Sequence, residues 1–191
     1  MAVSKSRQEY EIKVLDVDVK EVRNRLKALG ARKIRHIHYT RLVFPLWHTA
    51  EEHGWIRLRT DGKITTLTLK ENRGKAISGT KEYEVKVDDF RETARILCKA
   101  FPNGTYEENL RELYALDGAE ITIDSWPDIP PYVEIEGSSP KHVMKLYKKL
   151  DIKGLYFGNR TTGVVYDHYG LDWEKIFIER NAKKLSALIS E

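Results

Sequence analysis

The sequence predicts an α+β fold in which a closed, eight-stranded antiparallel β-barrel is surrounded by packed helices. Three observations point there. The string EYEIKV at Glu9–Val14 returns as EYEVKV at Glu82–Val87, so the chain carries a degenerate repeat. Each copy runs into a helical pattern and then into alternating segments of strand length. None of the strands so obtained carries obvious edge protection, and closure into a barrel removes exposed edges altogether.

The elements follow in order. Strands are expected at about 8–14, 34–44, 54–60 and 64–71 in the first copy, and at 80–87, 105–115, 119–124 and 132–137 in the second. Between the first two strands Asp18 is placed to cap a helix with Val19, Val22, Leu26 and Leu29 on one face, ended by Gly30. In the second copy Asp88 or Asp89 caps a helix whose apolar face is Phe90, Ala94, Leu97 and Phe101. Asp61-Gly62 and Asp117-Gly118 sit between alternating segments and mark hairpins. Ser139-Pro140 opens a further helix with Val143, Leu146, Tyr147 and Leu150 on one side. Two helices at about 162–169 and 173–189 finish the chain, the first stopped by Gly170 and the second capped by Asp172; Tyr169, Trp173, Ile176, Phe177 and Leu188 should pack this tail on the body. No Pro/Gly/Ser-rich linker interrupts the chain. Residues 1–191 are therefore expected to form one domain, built from repeats at about 8–71 and 80–137 with a helical segment at about 139–189.

Composition narrows the function. Of 191 residues 33 are basic and 29 acidic, a formal charge of +4, which suits an anionic small molecule and argues against a dedicated nucleic-acid binder. Cys98 is the single cysteine, so neither an intrachain disulfide nor a cysteine-based zinc site can form. No apolar run has the length of a signal peptide or a membrane span. A cytoplasmic protein, monomeric or homodimeric and without membrane or nucleic-acid partners, is expected.

The strands alternate charged and apolar residues. Glu9, Glu11 and Lys13 share one face of the first, opposite Tyr10, Ile12 and Val14. Arg57 and Arg59, then Thr66, Thr68 and Lys70, then Glu82, Glu84 and Lys86, then Thr122 and Asp124, then Glu134 and Glu136 repeat the pattern. Alternation does not say which face points inward. An ordinary barrel puts the apolar face inside and the charges in water. A tunnel reverses this and needs something inside to compensate the buried charge. Lys13, Arg57, Arg59, Lys70 and Arg111 balance Glu9, Glu11, Asp124, Glu134 and Glu136. A triphosphate with about four negative charges and two divalent cations would leave that balance intact.

The motifs and their order resemble those of the CYTH family, the triphosphate tunnel metalloenzymes. Glu9-Tyr10-Glu11-Ile12-Lys13 fits an E-x-E-x-K signature; it is followed by Arg57–Arg59, by LTLK ending at Lys70, by KEYEV at Lys81–Val85, by the segment ending at Arg111, by ITID ending at Asp124 and by VEIEG at Val133–Gly137. The similarity spans essentially residues 8–170. It implies a tunnel with the charged face inward and chemistry on a triphosphate substrate with Mg²⁺ or Mn²⁺. It implies that Glu9, Glu11, Asp124, Glu134 and Glu136 hold the metal, while Lys13, Arg57, Arg59, Lys70 and Arg111 grip phosphate and carry the catalysis. Glu82, Glu84 and Lys86 would line the same wall. The VEIEG motif and the Tyr166–Gly170 YxxYG ending incline the resemblance toward class IV adenylate cyclases, which make cyclic AMP and pyrophosphate from ATP. A triphosphatase acting on tripolyphosphate, thiamine triphosphate or a nucleotide uses the same wall. A non-catalytic triphosphate sensor is the third reading, and five carboxylates argue against it. Two departures stand out: Asn109 lies where cyclase-like members often carry a basic residue, and RLVFPL at Arg41–Leu46 lacks the acidic-aromatic pattern of many relatives.

Remaining candidates have plainer explanations. His36 and His38 share a strand face but have no third ligand nearby in sequence. Trp47, Trp126 and Trp173 are expected to pack, and Trp55, on the face of Arg57, either lines the tunnel mouth or stacks on a base. Lys183-Lys184 reads as a solvated helix face.

Overall fold

The computed structural model describes residues 7–46, 53–72 and 80–190; Trp47 lies outside them. The first half runs β1 (Arg7–Leu15), α1 (Val19–Ala28), β2 (Arg32–Leu46), β3 (His53–Thr60) and β4 (Thr65–Asn72). The second repeats that order as β5 (Thr80–Val87), α2 (Phe90–Ala100), β6 (Thr105–Leu116), β7 (Ala119–Ser125) and β8 (Tyr132–Gly137). α3 (Pro140–Leu150), β9 (Leu155–Gly158) and α4 (Thr162–His168) follow. The local chemistry is the expected one. Asp18 accepts from the amides of Lys20 and Glu21, Asp89 from that of Glu92, and Ser139 from that of His142 with Pro140 in the first turn. Asp117 and Gly118 both take positive φ, 51° and 77°, as a two-residue hairpin turn requires.

The strands pair antiparallel in the order β5-β4-β3-β2-β6-β7-β8-β1, and β5 also pairs with β1 through Gln8↔Lys81 and Glu9↔Thr80, which closes an eight-stranded barrel. β9 was not anticipated. It pairs with β1 at Val14↔Tyr156 and Leu15↔Leu155, beyond the stretch of β1 that pairs with β5. Leu155 and Tyr156 are exposed, so this short strand carries no burial pattern by which sequence could reveal it.

The hydrophobic core lies outside the barrel wall, and this decides which face points in. Ile12, Val14, Ile121, Ile123, Val133 and Ile135 pack beneath Val22 and Leu26 of α1 and Val143, Leu146 and Leu150 of α3. On the other side Leu42, Phe44, Leu58 and Tyr106 pack beneath Ala94 and Leu97 of α2. Each such side chain contributes about 1.5–3 kcal/mol of apolar burial, so the helices commit the apolar face outward and the charged face is left to line the interior.

The chain's end departs from one continuous helix over 173–189. A single turn, α5 (Trp173–Lys175), passes into a π-helical segment at Ile176–Arg180 before α6 (Asn181–Ile189). Phe177 is wedged edge-on against both Trp126 and Tyr166, and the Asn181 side-chain amide donates to the Tyr106 carbonyl at 2.7 Å. The extra residue per turn re-aims the helix so that both anchors are met. Among the described residues no helix is long and apolar enough to cross a membrane.

Candidate functional site

The barrel order sorts the interior charges into two arcs. On the contiguous strands β4, β3, β2 and β6 stand Lys70, Arg57 and Arg59, Arg41, and Arg111. On β7, β8, β1 and β5 stand Asp124, Glu134 and Glu136, Glu9 and Glu11, and Glu82 and Glu84. Glu107 and Lys13 are the exceptions, one in each arc. Such separation is not the interspersed pattern of a solvated surface.

Ion pairs form at the two seams. Between β6 and β7, Arg111 holds Asp124 through Nε and Nη2, both at 2.7 Å, and reaches Glu134 at 2.6 Å. Thr122 donates to Asp124 at 3.0 Å, and the Asn109 amide donates to it at 2.9 Å. Between β4 and β5, Lys70 sits 2.7 Å from Glu9 and 3.1 Å from Glu82. Burial and the neighbouring Glu82 raise the Glu9 carboxyl, while Glu82, against the opposing effect of its own burial, is held low by Glu9, Lys70 and Arg57. Of the two carboxyls, Glu9 is the more readily protonated.

Within the acidic arc, Lys13 is 3% exposed and its ammonium lies 3.0 Å from Glu11 and 3.1 Å from Glu134. Burial by itself would lower this amine, but the two carboxylates outweigh it and hold it well above the ordinary lysine value. Glu136 lies directly opposite Glu11 across β1 and β8. Two carboxylates thus already converge on one cation, with a third on the neighbouring register position. The donor chemistry suits a hard divalent ion. No group of three His, Cys, Asp or Glu side chains is gathered in metal-binding geometry among the described residues; Lys13 bridges Glu11 and Glu134, and Arg111 bridges Asp124 and Glu134.

The middle of the basic arc is different. Arg57 is 3.5 Å from Glu82 and 3.9 Å from Glu84, and Arg59 approaches Glu84 only to 3.9 Å. Burial, with Arg57 and Arg41 nearby, lowers Arg59 to about 9. Neither Arg57 nor Arg59 comes closer than 3.5 Å to a carboxylate among the described residues. Arg59 stacks 4.5 Å over the ring of Tyr39.

Every site residue named from sequence except Lys86 takes its place in these two arcs. Lys86, opposite Thr66, is exposed at the end of β5. Trp55 is half-buried and pairs with Lys70 across β3 and β4. His36 and His38 are exposed on the outer face of β2. Sequence reasoning missed Arg41, Tyr39 and Glu107. Arg41 sits among Thr40, Leu42 and Val43, and nothing in that run marks it as different from a solvated arginine.

Solved structures share this architecture. A conserved protein of Pyrococcus furiosus superposes with a TM-score of 0.63 at 20% identity, covering 76% of this chain and 91% of its own. A candidate adenylate cyclase from Vibrio parahaemolyticus gives a TM-score of 0.64 at 10% identity, covering 84% and 98%. A candidate adenylyl cyclase from Hippeastrum, described as having a dominant triphosphatase activity, gives 0.54 at 15% identity, covering 85% and 95%. At these identities the likeness is one of fold. No curated protein is a significant sequence match. The CYTH domain model matches residues 7–164, which takes in the barrel and every charged residue of both arcs, and the chain therefore belongs to the CYTH family.

Proposed function

We propose that the tunnel binds a triphosphate and cleaves it with the help of Mg²⁺ or Mn²⁺. The observation that carries this reading is the pair of facing arcs, one with surplus positive charge for phosphate and one rich in carboxylates for cations. Arg57, Arg59, Lys70 and Arg111 would hold phosphate oxygens. Glu9, Glu11, Asp124, Glu134 and Glu136 would hold the metal, which when bound supplies Lewis acidity to a phosphoryl oxygen and lowers the pKa of the attacking oxygen. Lys13, held by Glu11 and Glu134, would be free to turn toward phosphate if those carboxylates bound a cation. Glu82 and Glu84 orient Lys70, Arg57 and Arg59, and Lys86 adds positive charge at the approach.

Hydrolysis at the terminal phosphorus fits best. Water attacks, the bond from that phosphorus to the bridging oxygen breaks, and the diphosphate leaves with the electron pair into the basic arc. A cyclase must in addition grip a base and bend the ribose hydroxyl onto the α-phosphorus. The ring of Tyr39 is covered by Arg59 and that of Trp126 by Arg41, so neither offers that face to a base. Cyclization of ATP is the second reading; Trp55, which no arginine among the described residues covers, favours it.

Purified protein given ATP, tripolyphosphate and thiamine triphosphate with Mg²⁺ or Mn²⁺ decides between them. Orthophosphate without cyclic AMP is expected. Cyclic AMP with stoichiometric pyrophosphate would establish the cyclase instead, and turnover undiminished in excess chelator would refute the metal.

A further inference from the structure

Arg41 is the basic residue of the two arcs that the roles above leave unused. It lies on the inner face of β2 and is 6% exposed. Among the described residues it makes no ion pair; its Nη2 donates to the Asn109 side-chain oxygen, and its Nε–H is buried without an acceptor. The Arg57 Nε–H is likewise buried without an acceptor. Arg41 lies next to Arg59 across β2 and β3, and its guanidinium is 4.6 Å over Trp126 and 5.6 Å from the ring of Tyr39. Glu107, its partner across β2 and β6, is the carboxylate that acts on it most strongly, but it makes no direct ion pair with the guanidinium.

This is a costly arrangement for the protein alone. An orphaned buried N–H donor is destabilising, and so is a buried cation with no carboxylate in direct contact. Ring stacking covers the flat face of a guanidinium and leaves its N–H edge for donors in the plane. Three guanidiniums with two orphaned edges bring more charge than a singly charged bridging phosphate can satisfy, whereas a terminal phosphate carries two charges and three free oxygens.

We propose that Arg41, with Arg57 and Arg59, forms a three-guanidinium seat for the doubly charged terminal phosphate, and that Arg41 selects substrates whose terminal phosphate is unesterified. The proposal rests on the triphosphate reading above. Asn109 has a second part in it: by accepting from Arg41 and donating to Asp124 it aims the guanidinium and ties the seat to the acidic arc.

The test is calorimetric titration with tripolyphosphate, ATP and ATP methyl-esterified on its terminal phosphate, in chelator and again with Ca²⁺. Arg41→Met keeps the side-chain volume and removes the charge. It should weaken tripolyphosphate and ATP by about ten- to a hundred-fold, the range of a charge-assisted hydrogen bond, and the capped ATP much less. Thermal stability of the ligand-free variant should not fall, because the guanidinium removed makes no direct ion pair among the described residues. Arg41→Met combined with Asn109→Arg, which returns a cation to the same spot from β6, should recover part of the preference. Equal weakening of capped and uncapped ligands, or none, overturns the seat. A lower ligand-free Tm with an affinity loss that Asn109→Arg does not restore makes Arg41 a packing residue and overturns it too. Wild-type protein that binds none of the three under either condition overturns the triphosphate reading itself, and the seat with it.

Discussion

Lys13→Met separates a tunnel whose carboxylates await a cation from one whose ion pairs are merely structural. The ammonium bridges Glu11 and Glu134, whose side chains retain 18% and 13% exposure. Removing one partner of a buried ion pair costs about 3–5 kcal/mol, chiefly because the other charge is left uncompensated. Arg111 still holds Glu134, so the lower end, about 3 kcal/mol, is expected. For a chain of this length each kcal/mol moves Tm by about 2–4 °C, which predicts a Tm about 6–12 °C below wild type in chelator. Methionine leaves the carboxylates of the acidic arc with one competitor fewer. A divalent cation at a hundred times its Kd contributes about 2.7 kcal/mol, so Mg²⁺ or Mn²⁺ should stabilise the variant more than wild type and narrow the gap. Differential scanning fluorimetry with chelator and with each metal measures both effects. A variant as stable as wild type in chelator, or a gap that metal leaves unchanged, would refute the reasoning.

Arg57→Ala should lower kcat/KM by about 10²- to 10³-fold, as for loss of a preorganised charge donor, while Lys183→Ala, on the exposed side of α6, should leave it within error; steady-state kinetics on whichever triphosphate is turned over compares them. Glu112, on the outer face of β6, is held by Arg23, by Lys33 at 2.7 Å and by the Tyr114 hydroxyl at 2.7 Å. Against the opposing effect of burial these partners pull its pKa from 4.5 to about 2. A depressed folded-state pKa gives stability that is complete above the unfolded value and lost as pH falls from 4.5 toward 2. With Arg23 and Lys33 half-exposed the contribution is about 1–2 kcal/mol, and Glu112→Gln should flatten that part of the urea-unfolding profile. Parallel losses in variant and wild type would contradict the assignment.

Much of the barrel was legible because its signals are local. A strand's period is set by the alternation of side chains along the backbone, so Glu9-Tyr10-Glu11-Ile12-Lys13 and Glu82-Tyr83-Glu84-Val85-Lys86 announce themselves, as do the Asp18, Asp89 and Ser139 caps. Composition and periodicity left the direction of the charged face open; the CYTH resemblance supplied an expectation, and the helices supplied the physical cause. Val22, Leu26, Val143 and Leu146 have nowhere else to bury their surface than on the outer side of β1, β7 and β8. The charged positions of the motifs were therefore readable one by one, with the pairings between them hidden.

Those pairings depend on which strands become neighbours. Arg111 and Asp124 are close in sequence, but Lys70 meets Glu9, and Arg41 joins Arg57, Arg59 and Asn109, only because β2 lies between β3 and β6 and β5 closes onto β1. A sequence carries charges in chain order, whereas Coulomb energy depends on distance, and barrel closure turns a list of mixed charges into a basic arc facing an acidic one. Arg41 shows the difference most directly: along the chain it is one arginine beside apolar residues, and in the closed barrel it is a buried cation whose Nε–H has no acceptor.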